Sequence, residues 1–250
     1  MKIARFLSAG LLLLCGFGAC AATVVKVGFY ESIPPWVNAE HRAGIAVELL
    51  REVMRNENVR IEPVFYPFSR RISAYRRGEI DALYDVTPVM QHDYQLPGTL
   101  GKALHTFDNV VVALRQRQFQ LNSLAELQPW RVIAWEGAQV DVPAQYDAVL
   151  AIANGNYSEL AQQQNQVRAL YLGRCDVIFI DRLIFEWYRR KLGAETAQPV
   201  TFYPLLAPKE ASVLWRDPAL RLRYEAGLRR LKQDGRYDAI FRSYNSEPQP

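Results

Sequence analysis

Cysteine is scarce. Of the three in 250 residues, Cys15 and Cys20 lie in the first 21 positions and Cys175 stands alone in the body. A single thiol cannot close an intrachain disulfide, nor supply a multi-cysteine structural zinc site. Cys175 opens the apolar stretch to Ile180 and is expected to be an inert core thiol. Histidine is equally sparse, and none of His41, His92 and His105 has an evident nucleophile beside it. Gly-x-Ser-x-Gly, phosphate-loop and His-Glu-x-x-His motifs are absent, so the chemistries they serve lack sequence support. No metal and no cofactor is expected. Strong charge is missing too. Losing Lys2 and Arg5 with the leader brings the formal +4 down to +2, too little for a nucleic-acid partner. The short basic clusters (Arg70 and Arg71, Arg76 and Arg77, Arg189 to Lys191, Arg229 and Arg230) read mainly as solvated helix faces.

Long apolar runs are limited to one, Phe6 to Phe17, led by Lys2 and Arg5 and followed by Ala19 and Ala21 as an A-x-A site. This is the layout of a cleaved secretory signal peptide over residues 1–21, too short to span a bilayer comfortably. Cys20 adds a second possibility, lipidation, although Phe17 stands where lipoprotein signals place an aliphatic residue. A soluble periplasmic protein is expected. Half of the chain is apolar, enough for a sizeable core.

Strands are expected at 24–29, 59–65 and 80–84, with helices at 45–53 and 69–77 between them. That alternation is the pattern of a parallel α/β sheet. A long irregular stretch, 85–104, leads to an apolar strand at 109–114. The pattern then restarts: a short helix at 123–127, strands at 132–135 and 148–152, a helix over 157–172, a strand at 176–180 and a helix opened by Asp181. Strands at 201–205 and 211–215 precede two helices, 218–233 and 237–244. Two α/β lobes joined by two crossings follow: 22–110, 111–204 and 205–250, the last segment returning to the first lobe. Ligands of such sheets bind outside the carboxyl ends of the strands.

Six segments then resemble, in order, those of the extracellular solute-binding protein family 3, the polar-amino-acid group of type II periplasmic binding proteins. They are Val25 to Gly28 with Pro34-Pro35-Trp36; Gly44 to Val53; Gly78-Glu79-Ile80-Asp81-Ala82; Ser123 to Leu127 before Arg131-Val132-Ile133; Gly173 to Val177 with Asp181; and Asp234 to Phe241. The resemblance implies a two-lobed clamp that captures a small amino-acid-like or carboxylate-bearing ligand, as a monomer, for an ABC importer. A sensing module without transport, or a dehydratase-like enzyme using Glu136, are the other readings. Catalysis is not expected.

The resemblance also implies site residues. The family arginine that holds a ligand carboxylate has no counterpart, since no arginine occurs between Arg77 and Arg115. Arg70 is the expected substitute, with Arg71 the alternative; a guanidinium suits a carboxylate. Asp181 is expected to pair with the ligand's amino group, or to cap its helix. Asp85 would favour a cationic ligand. Tyr30, Trp36, Phe68, Tyr84 and Trp135 are candidates to stack on the ligand. Gly137 resembles a loop whose backbone N–H groups bind carboxylate.

Overall fold

The computed structural model describes residues 22–141 and 156–246. The expected leader at 1–21 and the expected strand at 148–152 lie outside the described residues.

The first sheet has the order β4–β1–β5–β12–β6. It holds β1 (Thr23–Tyr30), β4 (Val59–Tyr66), β5 (Ala82–Val86), β6 (Thr99–Phe107) and β12 (Lys209–Trp215). β1 runs parallel to β4 and β5, with Val27 facing Pro63 and Ala82. β12 runs antiparallel to β5 and β6. Among the described residues β4 pairs only with β1, so Pro63, which has no N–H, is tolerated on this edge. A small hairpin, β2 (Ser32–Ile33) and β3 (Val37–Asn38), follows β1. Helix α1 (Ile45–Met54) buries Ile45, Val47, Leu49, Leu50 and Val53. Each such aliphatic side chain contributes about 1.5–3 kcal/mol on burial. Gly44 starts this helix at φ +127, and a Cβ there would lie 2.4 Å from the Trp36 carbonyl oxygen. Only glycine allows that approach.

Helix α2 (Phe68–Arg76) follows β4, and α3 (Pro88–Asp93) follows β5. The stretch expected to be irregular therefore contains a helix. Thr87 caps it, accepting from the Met90 N–H at 3.1 Å, with Pro88 in its first turn.

The second sheet has the order β11–β7–β10–β8–β9. It holds β7 (Asn109–Leu114), β8 (Val132–Trp135), β9 (Tyr157–Leu160), β10 (Val177–Asp181) and β11 (Val200–Tyr203). Short helix α4 (Ala138–Asp141) follows β8, and α5 (Gln163–Tyr171) follows β9. The expected helix over 157–172 is thus a strand and then a helix, because residues 157–160 pair in parallel with β8. Helix α6 (Arg182–Leu192) buries Ile184, Phe185, Tyr188 and Leu192 on one face. The Arg189–Lys191 cluster fills its last turn, where cations complement the helix dipole. Helices α7 (Pro218–Gln233) and α8 (Arg236–Ser243) close the chain on the first lobe, against α1.

Two crossings join the lobes. Asp108 alone separates β6 from β7, and residues 204–208 separate β11 from β12. The expected boundary at 110–111 falls two residues inside β7.

Candidate functional site

A cleft of about 350 Å³ lies between the lobes. It opens at the carboxyl ends of β1, β4, β5, β8 and β10, which contribute Tyr30, Tyr66, Asp85, Trp135 and Asp181. Pockets for small organic ligands span about 300–1,000 Å³, so the cleft suits a small one. Asn109, Phe107 and Lys209, beside the crossings, line it as well.

The lobes are in contact around it. The Trp36 indole N–H of the first lobe donates to Asp181 Oδ1 of the second at 2.9 Å. Tyr188 of α6 and Ser32 of the first lobe both line the cleft. The Phe68 ring lies 3.1 Å from where a Cβ of Gly137 would stand.

Of the residues expected at the site, Tyr30, Phe68, Asp85, Trp135 and Asp181 line the cleft. Trp36 does not. It is fully buried, stacked on His105 with ring centroids 3.8 Å apart. Phe107 and Phe241 close in edge-on. Tyr84 is likewise buried, its hydroxyl 2.5 Å from His105 Nε2. Both rings belong to the core because hydrogen bonds inside the protein occupy their polar atoms.

Arg70 is also misplaced by the expectation. It is exposed on α2, with its guanidinium 5.7 Å above the Tyr66 ring, and it does not line the cleft. Arg71 is the arginine turned inward. It is fully buried, donates to the Tyr84 carbonyl and lies 3.8 Å over the Tyr30 ring. Its Nε and Nη2 have no partner among the described residues, but it stands outside the cleft lining. Among the described residues no arginine lines the cleft, so the expected arginine–carboxylate contact has no counterpart there.

Gly137, at φ +89, does offer its N–H, but Glu159 Oε2 accepts it at 2.9 Å. Glu159 Oε1 accepts from the Gln139 N–H at 3.2 Å and the Tyr157 hydroxyl at 2.9 Å. The loop expected to bind a ligand carboxylate therefore holds one of the protein's own. Sequence reading missed Glu159 because the expected helix over 157–172 would have turned it elsewhere.

Lys209 was also missed. Its Nζ lies 2.9 Å from Asp85 Oδ2, and both side chains are buried. Asp85 Oδ1 has no partner among the described residues. Asn109 Nδ2 and Gln163 Oε1, both on cleft-lining residues, also lack partners among the described residues, and a side-chain amide can present either end. Six aromatic rings line the cleft: Tyr30, Tyr66, Phe68, Phe107, Trp135 and Tyr188.

Asp181 is saturated. Oδ1 accepts from Trp36 and from the Ile184 N–H at 3.0 Å, and Oδ2 from the Asp108 N–H at 2.9 Å. It caps α6 and ties the first crossing to both lobes. Burial pushes its carboxyl up to about 6, against the pull of those donors. Burial drives His105 down to about 3, so it is neutral at physiological pH.

Solved structures share this fold. A histidine kinase sensor domain similar to periplasmic binding proteins superposes with a TM-score of 0.76 at 18% identity, covering 92% of this chain and 99% of its own. A histidine-bound substrate-binding protein of an ABC uptake transporter from Streptococcus pneumoniae gives 0.72 at 16%, covering 88% and 91%. An ancestral amino acid-binding protein, a precursor of cyclohexadienyl dehydratase, gives 0.70 at 16%, covering 88% and 94%. No curated protein matches by sequence. The two α/β lobes form the fold of type II periplasmic binding proteins. The model of the bacterial extracellular solute-binding proteins, family 3, matches residues 25–247, and the chain belongs to that family.

Proposed function

We propose that this protein is an exported periplasmic receptor that closes its two lobes on one small, amino-acid-sized molecule and releases it unchanged to a membrane partner. The observation that carries the reading is the interlobe cleft itself, walled by aromatic rings and carboxylates at the carboxyl ends of strands from both sheets. Export rests on the Lys2–Ala21 leader pattern, together with membership of an extracellular family. No helix among the described residues is long and apolar enough to cross a membrane. An ABC importer is the partner favoured by the transporter-binding neighbour from Streptococcus pneumoniae. A sensing role is the second reading, favoured by the kinase sensor domain, which shares the fold over 99% of its length.

A thermal-melt screen of amino acids, amines and small carboxylates tests capture. A specific ligand at about 100 times its dissociation constant should add about 2.7 kcal/mol of stability. Recovery of that ligand unaltered by mass spectrometry separates binding from turnover. If no compound in the screen raises the melting temperature, the receptor reading fails.

A further inference from the structure

We infer that the cleft is built for a primary or secondary ammonium ligand that carries no carboxylate, such as an alkyl amine or diamine. This deepens the receptor reading and rests on it.

Three observations lead there. The first is an unfilled acceptor. Asp85 lines the cleft, is 2% exposed, and leaves Oδ1 without a partner among the described residues while Oδ2 holds Lys209. A buried carboxylate oxygen left unpaired costs stability, and a ligand N–H would satisfy it. A quaternary ammonium has no N–H to give. Two exposed carboxylates, Glu31 and Glu136, add negative charge to the same lining. Neither forms an ion pair among the described residues.

The second is the aromatic wall. Six rings around a small cavity supply π faces that attract a cation, and this attraction strengthens when the cation is desolvated.

The third is that the cationic and loop N–H groups expected to hold a ligand carboxylate are engaged or screened, leaving neutral donors such as the Asn109 amide. Lys209 Nζ is bound to Asp85. The Gly137 and Gln139 N–H groups donate to Glu159. Arg70 is outside the lining, and the Tyr30 ring covers Arg71 at 3.8 Å. To reach those groups an incoming carboxylate would have to evict Glu159 or displace Tyr30, and it would meet Glu31 and Glu136 as like charges, beside the Lys209-paired Asp85. A like-charge juxtaposition of this kind builds specificity against the wrong ligand.

Matched pairs test this, each an amino acid and the amine left when its carboxylate is removed: lysine and cadaverine, ornithine and putrescine, arginine and agmatine. Affinities are measured by calorimetry on the purified protein. In at least one pair the amine should bind about tenfold or more tighter than its amino acid. Amino acids binding as tightly as the amines, or tighter, would overturn the inference while leaving the receptor reading intact. Silence from all six compounds overturns it too, and the wider screen above then decides whether any receptor function survives.

Two variants locate the cause. Asp85→Asn keeps the left-handed backbone at φ +57, which asparagine tolerates, and should weaken the amine about tenfold. Glu159→Ala frees the Gly137 and Gln139 N–H groups and should move the amine-to-amino-acid preference about tenfold toward the amino acid. An unchanged preference in Glu159→Ala, with the variant shown folded by its thermal melt, counts against the plugged loop. The pairs on the unaltered protein remain decisive if either variant fails to fold.

Discussion

Asp85 and Asp181 occupy equivalent places in the two lobes. Each stands near the carboxyl end of a central strand, lines the same cleft and is 2% exposed. They differ in what their oxygens meet. Asp181 accepts three N–H donors, from Trp36, Ile184 and Asp108, and so is built into a helix cap and a crossing. Asp85 holds one lysine and keeps an oxygen open, on a non-glycine residue at φ +57. Backbone strain of that sort gathers at functional sites. Burial is thus the same for both, and saturation separates their roles. The second carboxylate is already spent on holding the lobes, while the first is available to something from outside.

The sharpest test of that contrast is pH. Asp181 is raised from 3.8 to about 6 by burial, so the folded protein holds its proton more firmly than the unfolded chain does. Its contribution is largest at low pH and is lost as pH rises from 3.8 to about 6. His105 is lowered from 6.5 to about 3, again by burial, so acid protonates the unfolded chain first. Its contribution is complete above 6.5 and is lost as pH falls. Across about pH 4 to 6 the two oppose one another, each by about 2–3 kcal/mol. Asp181→Asn removes one side of this balance. Urea denaturation should show the variant losing stability on acidification more steeply than the parent, by about 2–3 kcal/mol over that interval. Parallel pH curves would mean that burial does not raise the Asp181 carboxyl.

Trp36→Phe probes the same lock from the other lobe. A phenyl ring keeps the stack on His105 and the edge contacts with Phe107 and Phe241, but removes the donor to Asp181 Oδ1. A hydrogen bond to a charged group contributes about 1.5–3 kcal/mol, so a loss of about 2 kcal/mol is expected by denaturation. The Asp181 carboxyl should also titrate higher, since one donor that favours its charged form is gone; carbon NMR of the labelled side chain reads this directly. A smaller loss with an unmoved titration would show that Ile184 and Asp108 suffice to hold Asp181.

Much of the frame is legible in the sequence. The strand–helix alternation from Val24 to Tyr84 survives because hydrophobic periodicity and glycine stops report local backbone choices. Asp85 and Asp181 are legible because each closes an apolar strand. The expectation of Arg70 ahead of Arg71 has no such local signal behind it. One residue is about a 100° turn of a helix, and which neighbour faces inward depends on where α2 lies against the sheet. Arg71 shares its face with the buried Tyr75, one turn on, while Arg70 meets solvent. Glu159 was hidden for another reason. Tyr157-Ser158-Glu159-Leu160 becomes a strand by pairing with β8, a tertiary contact that outweighs its local pattern. Lys209 escaped because β12 begins two residues before the expected strand at 211–215.

The smallest effect is expected at Gly137→Ala, and it measures closure alone. At φ +89 an alanine costs about 1 kcal/mol in backbone strain. Its methyl would also stand 3.1 Å from two carbons of the Phe68 ring, which belongs to the other lobe. The backbone strain is present whether the lobes are open or shut, whereas the ring contact exists only when they meet. Ligand affinity should therefore fall by about threefold beyond any change in unliganded stability. Phe68→Leu in the same chain removes the ring and should return most of that closure penalty, so the two substitutions should be non-additive in affinity and additive in unliganded stability. Additivity in both would mean that Phe68 does not approach Gly137 in the liganded clamp, and that the second lobe takes its ligand by some other approach to the Asp85 wall.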